Sequence, residues 1–163
     1  MLTFDGNRMS MDILKTGETM YLIMADLGGK KNTRRILNDL NKCFLNGHNG
    51  IRKALGAENA HITHMARAAI ESGNAAEMGR LMTLAQQVFD NLVAPCSPEE
   101  LKSPRLHHVL GIAEASGLSL GGKGVGSQGD GSAQFICPGD NEREKLAEIL
   151  EGLPGVRCYY LTL

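Results

Sequence analysis

The chain is 163 residues long, with 42% hydrophobic residues, 21% charged residues and a formal net charge of −1. This length accommodates one domain with a substantial core, and the composition excludes an intrinsically disordered chain. The near-neutral charge provides no electrostatic surface for nucleic acid, and no polybasic run suits an anionic membrane. Glycine is frequent, with 20 residues, and glycine occurs where the backbone bends sharply or approaches a ligand.

The cysteines and histidines do not form a recognisable metal or disulfide pattern. Four cysteines are far apart in sequence, without a Cys-x-x-Cys pair, which favours neither a disulfide framework nor a zinc site. Adjacent His107 and His108 point about 100° apart on a helix, while His61 and His64 are three residues apart and could share one face of a helix. The sequence also has no signal peptide and no long apolar run. We therefore expect a cytoplasmic protein with no membrane partner and no resident metal ligands.

The N-terminal quarter of the chain predicts strands and then a helix. Residues 2–4 and the alternating apolar residues 9–13 flank an Asp-Gly turn, which predicts a β-hairpin. A compact apolar run over residues 21–25 predicts a buried strand that ends at Asp26. Asn32 or Thr33 then caps a predicted helix.

Helices dominate the middle of the chain. Apolar residues recur with helical spacing in four segments, and Pro95 and Pro98 predict a loop between the third and the fourth. A proline at the first helical position begins the fourth segment. The four segments are residues 32–46, 61–72, 74–92 and 103–113.

The last third of the chain changes character after Gly117. A short strand is predicted over residues 118–120, a glycine-rich loop over 121–131, a strand over 133–137, a helix from Asp140 or Asn141, and a last strand over 156–163. This order predicts an α+β fold, a ferredoxin-like antiparallel sheet covered by helices, with an N-terminal β-hairpin. Because an isolated hairpin is marginally stable, we expect this one to belong to a larger unit.

The glycine-rich loop admits several interpretations. Residues 124–129 match G-x-G-x-x-G, but a strand follows them where the dinucleotide fingerprint needs a helix. Residues 117–124 nearly match the Walker pattern, but its final hydroxyl position is Gly124. The remaining alternatives are an anion cradle of backbone N–H groups, with charge from Lys123, and a long strained β-turn at a sheet edge.

Residues 121–132, G-G-K-G-V-G-S-Q-G-D-G-S, resemble the third conserved motif of the GHMP kinases, which reads like G-A-K-x-x-G-A-G-G-G-G-C. Residues 73–82 and 103–106 resemble the C-terminal helices of that family, and residues 22–33 resemble a strand and helix start that follow its catalytic region. The resemblance covers nearly the whole chain and is nearest to sugar kinases. It implies that residues 21–163 are the C-terminal domain and that residues 1–20 are a hairpin left from an N-terminal domain.

The resemblance implies transfer of the γ-phosphoryl group of ATP, with Mg²⁺, to a hydroxyl of a small molecule, here a sugar. Asp130 departs from the motif, since a glycine is usual there and a carboxylate repels a triphosphate unless Mg²⁺ or Lys123 intervenes. Ser132 replaces the usual cysteine. The implied substrate positions are Asp26, Lys30 and Lys31. The implied nucleotide positions are Lys123, Gly124, Gly126, Ser127, Gln128, Gly129, Asp130 and Gly131.

The resemblance also implies that part of the machinery lies outside this chain. The family's Gly-Leu-Ser-Ser-Ser phosphate loop and its aspartate base are not found in the sequence, so no residue here is assigned a catalytic role. We expect the chain alone to have little or no kinase activity and to need an N-terminal kinase domain as its partner. The alternative is a stand-alone ferredoxin-like module, without catalysis, that binds a ligand or forms a homodimer through its sheet.

Overall fold

The computed structural model describes residues 2–163. The strands are β1 (Leu2–Asp5), β2 (Arg8–Met11), β3 (Tyr21–Asp26), β4 (Gly121–Gly124), β5 (Ser132–Cys137) and β6 (Arg157–Thr162). The α-helices are α1 (Thr33–Leu45), α2 (Asn49–Lys53), α3 (Asn59–Glu71), α4 (Ala75–Leu92), α5 (Pro98–Leu101), α6 (Pro104–Ser116) and α7 (Asp140–Glu151). A π-helical turn, Ala54–Glu58, joins α2 to α3, and a 3-10 turn, Ala94–Cys96, precedes α5.

The predicted hairpin forms a two-stranded sheet of its own. Strands β1 and β2 pair in antiparallel fashion, and Asp5 opposes Arg8 across the turn. The side chains of β2 are all exposed, so this strand contributes little to the core described below.

The main sheet has four antiparallel strands in the order β4-β5-β3-β6. Strand β3 lies at the centre, pairing Ile23 with Phe135 of β5 on one side and with Tyr160 of β6 on the other. The connection from β3 to β4 carries six helices, and the connection from β5 to β6 carries α7. This is the predicted ferredoxin-like α+β arrangement.

Both faces of the sheet contribute to a core because side chains alternate along each strand. On one face, Ile23 and Phe135 are fully buried against residues of α6 and α7, such as Leu106 and Leu146. On the opposite face, Leu22 and Ile136 pack with Met20 and with Met82 of α4.

A buried arginine fastens α7 to the edge strand β6. Arg143 pairs with Asp140, one turn earlier on α7, and donates to Leu161 O at 3.0 Å. Its guanidinium also lies over the rings of Tyr21 and Tyr160. These partners satisfy a charge that would otherwise be costly to bury.

The structure departs from the predicted elements in three places. The strand predicted at residues 118–120 is wrong, because β4 begins at Gly121, inside the glycine run. There α4 approaches so closely that a Cβ on Gly121 would overlap the carbonyl oxygen of Gly79. The region before residue 61 holds α2 and the π-helical turn, and the region of Pro95 and Pro98 holds short helices rather than loop.

Within residues 2–163, none of the helices combines the length and the apolar character that crossing a membrane requires.

Candidate functional site

The glycine-rich segment divides into a strand and a loop. Its first four residues form β4, and residues 125–131 form the connection to β5, which we call the glycine loop. Three of its residues have positive φ: Gly126 (64°), Gln128 (63°) and Gly129 (74°). Left-handed backbone at such positions turns successive N–H groups toward one side, the geometry of an anion-binding concavity.

Several backbone N–H groups of the glycine loop have no acceptor among the residues that the structure describes. The N–H of Val125 donates to Ser132 O, and the N–H of Gln128 donates to Val125 O. Across the described residues, no acceptor faces the N–H groups of Gly126, Ser127 or Gly129. Since backbone donors in native proteins are nearly always paired with protein or water, this loop has donors available to a ligand.

Lys31 brings a positive charge to the glycine loop. Its ammonium donates to Gln128 O at 3.0 Å, although the two residues are 97 positions apart. A Cβ on Gly131 would lie 2.8 Å from Lys31 Cε, so a glycine there lets the lysine side chain lie along the loop. Thr33, at the start of α1, adds a second contact, with its hydroxyl 3.3 Å from that of Ser127.

Lys123 has a different environment from Lys31. Its ammonium donates to Gly124 O at 2.8 Å, next to its own residue on β4. Burial lowers the pKa of Lys123, because a charged ammonium is poorly solvated there. Lys31 therefore supplies the ammonium that bonds to the loop itself, whereas Lys123 is engaged at the end of the preceding strand.

Asp130 caps a helix. Its Oδ1 accepts from the N–H of Leu106, in the first turn of α6, at 3.0 Å. Ser103, which precedes α6, has left-handed φ and makes no side-chain cap bond, so the capping oxygen comes from the glycine loop instead. A carboxylate is favourable at a helix N-terminus because unpaired N–H groups and the helix dipole meet there. This contact explains an aspartate at a position where the resembling motif has glycine.

Asp26 and Lys30 lie near the same end of the sheet. Asp26 Oδ1 accepts from the N–H of Gly28 at 3.0 Å and so shapes the turn after β3. Lys30 and Lys31 line an open cavity of about 540 Å³ together with Thr33 and Glu100. The structure thus places Lys31 against the glycine loop and Lys30 in the cavity that Lys31 also lines, while Asp26 contributes its carboxylate to the turn that leads to them.

A series of hydrogen-bonded polar side chains, beginning with Gln86 of α4, supports β4 and the start of the glycine loop. Gln86, a buried residue of α4, accepts from Gly124 N–H at 2.7 Å and donates to Asp90 Oδ1 at 2.8 Å. Asp90 Oδ2 lies 3.1 Å from His107 Nε2, and His107 Nδ1 lies 2.9 Å from Ser103 O. We call these residues the Gln86–Asp90–His107 chain. Sequence analysis missed Gln86, since nothing in an apolar helical stripe marks one glutamine as buried.

The two ring nitrogens of His107 both face acceptors. A carboxylate oxygen contacts Nε2, and the carbonyl oxygens of Lys102 and Ser103 contact Nδ1. Since carboxylate and carbonyl oxygens accept hydrogen bonds, the contacts are satisfied when both nitrogens carry protons. Burial alone would lower the pKa of His107, but the hydrogen bond and charge of Asp90, with the two carbonyls, raise it above its ordinary value.

This arrangement predicts a stability that decreases with rising pH. A folded-state pKa above the unfolded value, about 6.5, means that the stabilisation is complete below that pH and is lost as pH rises through the folded pKa. We expect urea unfolding at about pH 6 and about pH 8.5 to show a smaller pH dependence of the unfolding free energy in His107→Gln than in the wild type. The matched control is His108→Gln, on the exposed neighbour. Equal pH dependence in His107→Gln and the wild type would contradict the conclusion that the His107 ring is protonated and charged in the folded protein.

Gln128 is buried, and its Oε1 has no hydrogen-bond partner in the part of the chain that the structure describes. A buried oxygen without a hydrogen bond costs about 1–3 kcal/mol of stability.

In the same residues 2–163, no group of three or more His, Cys, Asp or Glu side chains is placed to hold a metal ion.

No protein-family model matches the sequence, and none of the curated proteins is similar to it. Solved structures do match. The chain superimposes with a TM-score of 0.83 on L. major mevalonate kinase in complex with R-mevalonate, at 16% identity over 99% of this chain and 48% of that chain. For Streptococcus pneumoniae phosphomevalonate kinase with phosphomevalonate and AMPPNP, the TM-score is 0.74, at 11% identity over 95% of this chain and 43% of that chain.

A third match is Lactococcus lactis galactokinase complexed with galactose, with a TM-score of 0.59 at 16% identity, covering 95% of this chain and 48% of that chain. All three proteins are kinases of the GHMP family, and this chain spans a little under half the length of each. At these identities, the likeness establishes the fold. It is the fold of the GHMP kinase C-terminal domain, as the resemblance in the glycine-rich motif implies.

Proposed function

We propose that this chain is the C-terminal part of an ATP-dependent kinase for a small molecule, with the glycine loop lining the site of the ATP phosphates. The observation that carries the proposal is the combination of unpaired N–H groups at Gly126, Ser127 and Gly129 with the ammonium of Lys31. Phosphate oxygens accept hydrogen bonds and carry negative charge, so both features suit them. The likeness in fold to three kinases supports the same conclusion.

Catalysis of phosphoryl transfer depends on positioning and electrostatic stabilisation rather than on covalent chemistry by the protein. In this proposal, the N–H groups of the glycine loop orient phosphate oxygens, and Lys31 offsets their charge. Mg²⁺ would neutralise further phosphate charge, but the described residues provide no cluster of metal ligands, and we assign it to no residue of this chain. The base that activates the acceptor is assigned to the proposed N-terminal domain, which is the partner of this chain.

The acceptor that we propose is a sugar hydroxyl. The open cavity beside the glycine loop is lined by Lys30, Lys31, Thr33 and Glu100, polar side chains that suit a polyhydroxylated molecule. Asp26 shapes the turn that leads into this cavity. Mevalonate and galactose in the matched structures are different molecules, so the choice of a sugar rests on the sequence resemblance as a whole, which is nearest to sugar kinases.

The alternative is a non-catalytic module that dimerises through its sheet. Strand β6 is at one edge of the sheet, and its Tyr159, Tyr160 and Leu161 are about half exposed (53%, 51% and 44%). An edge strand with apolar side chains offers unpaired backbone groups to a second copy.

Calorimetric titration with AMPPNP and Mg²⁺ tests the proposed function. We expect weak binding by the wild type and a loss of affinity of about 10-fold or more in Lys31→Ala, since a hydrogen bond between charged groups contributes about 1.5–3 kcal/mol. Gly126→Val is expected to weaken binding as well, because its φ of 64° strains a β-branched residue. Lys53→Ala, an exposed lysine on α2, is the matched control and should bind like the wild type.

The wild type and the same variants distinguish the kinase domain from the dimerising module. Binding that is absent from the wild type, or unchanged in Lys31→Ala and Gly126→Val, would contradict a nucleotide site at the glycine loop. A concentration-dependent dimer in analytical ultracentrifugation, without nucleotide binding, would favour the module. We expect no consumption of ATP by the isolated chain with any sugar, above the level of Gly126→Val.

A further inference from the structure

Two cysteines that are far apart in sequence lie near each other at the C-terminal end of α1, the end away from the glycine loop. Cys43 lies in the last turn of α1, and Cys96 ends the 3-10 turn before α5. Both side chains pack on one apolar cluster, and Cys43 raises the pKa of the Cys96 thiol. Both residues are half-buried, and both line one open cavity of about 420 Å³. The two thiols are therefore neighbours at one cavity that is open to a small reagent from solvent.

The surrounding structure holds the two elements together without help from the thiols. Cys43 and Cys96 pack on the same small apolar cluster, in which Ile51 and Val93 are fully buried. Next to Cys96, the hydroxyl of Ser97 donates to Asp39 Oδ2 of α1 at 2.8 Å. These contacts hold the end of α1 against the segment that carries Cys96, so the two thiols stay next to each other.

We propose that Cys43 and Cys96 are a thiol-oxidation site at which a reversible intramolecular disulfide forms. Hydrogen peroxide oxidises the Cys43 thiol to a sulfenic acid and releases one water. The Cys96 sulfur then attacks the Cys43 sulfur, the S–O bond breaks, and the sulfenic oxygen leaves as a second water with the Cys96 proton. The two thiols together lose two electrons and two protons, and one peroxide is reduced to two waters.

The order of these steps follows from the environment of Cys96. Burial, then the hydrogen bond and the charge of Cys43, raise the pKa of Cys96 to about 12, so Cys96 is the slower thiol to react with peroxide. We therefore assign the first oxidation to Cys43.

The bond would join the end of α1 to the segment between α4 and α5. Helix α1 begins at Thr33, whose hydroxyl contacts that of Ser127 in the glycine loop. The disulfide would thus fix one end of the helix whose other end borders the candidate site. This inference does not depend on the proposed function, since it concerns the thiols and their packing alone.

Peptide mapping of the folded 163-residue chain tests the proposal. After treatment with a small excess of hydrogen peroxide, free thiols are alkylated with iodoacetamide and the protein is digested with trypsin. We expect one disulfide-linked pair, peptide 43–52 with peptide 81–102, an intact mass lower by two hydrogen atoms before alkylation, and its loss on reduction with dithiothreitol. We also expect oxidation to raise the midpoint of thermal unfolding by several degrees, because the bridge constrains the unfolded chain.

Two controls make the result specific to this site. Cys158→Ser should give the same linked peptides, since Cys158 lies on β6. Oxidation of the chain in urea should instead give mixed pairings among the four cysteines. The proposal is overturned if both peptides are recovered fully alkylated from the oxidised folded protein. Links to Cys137 or Cys158, disulfides between two chains, or sulfinic acid without a link would overturn it as well.

Discussion

Gly79→Ala is expected to lower the free energy of unfolding by about 2–3 kcal/mol, although alanine is the better helix former. Gly79 is a buried residue within α4, and a Cβ there would overlap the carbonyl oxygen and carbon of Leu120. Those atoms belong to backbone, so the overlap is relieved only if α4 moves away from the segment that leads into β4. Such a movement would also disturb the main-sheet core beside Met82.

Gly111→Ala is the matched control for this prediction. Gly111 is also inside a helix, α6, but it is exposed and nothing lies within 4 Å of the position of its Cβ. There the same substitution should stabilise the protein by about 0.5–1 kcal/mol through helix propensity. Urea unfolding of the two variants should therefore move the midpoint in opposite directions. A shift in the same direction would show that the close approach of α4 to Leu120 does not exclude a side chain at position 79.

Gln86→Met is expected to destabilise the protein by about 2–3 kcal/mol and to loosen β4. Methionine keeps the length and helix propensity of the side chain, but it leaves the buried N–H of Gly124 without its acceptor. It also removes the donor to Asp90 Oδ1. A buried donor that loses its partner costs the full desolvation of the group, which is why the expected effect exceeds that of an average hydrogen bond.

Gln87→Met provides the comparison on the same helix. Gln87 is the exposed neighbour of Gln86, and a substitution there should change the unfolding free energy by less than about 0.5 kcal/mol. Hydrogen exchange gives a local readout, since the Gly124 amide should exchange faster in Gln86→Met alone. Equal stability and equal exchange in the two variants would mean that the Gln86–Asp90–His107 chain does not support β4.

The sequence predicted regular elements best where one physical signal was strong. The apolar run before Asp26 and the long apolar stripe after Asn74 became β3 and α4, and Asn74 caps that helix through its side chain. The short helices around residues 49–53 and 94–101 were missed, because they have too few turns for an apolar period to be visible. The false strand at residues 118–120 has the same cause, since a pattern of three residues cannot show whether they form a strand or only lead into one.

The candidate site was predicted in part. The motif resemblance pointed to the glycine run and to Lys31, and the structure places Lys31 Nζ 3.0 Å from Gln128 O. The resemblance also drew attention to Lys123 and to the charge of Asp130. Their observed contacts, with Gly124 O and with the N-terminus of α6, depend on backbone groups whose positions no local pattern encodes.

By itself, the sequence determined most of the longer helices and strands, that they combine into an antiparallel α+β fold, and that glycine is concentrated before β5. These properties depend on local periodicity and backbone freedom, which are readable along the chain. The tertiary structure decided which distant side chains meet: Lys31 with Gln128, Asp130 with Leu106, Gln86 with Gly124, and Cys43 with Cys96. Such contacts depend on how whole elements pack, because a hydrogen bond requires atoms to be aligned within a few tenths of an ångström.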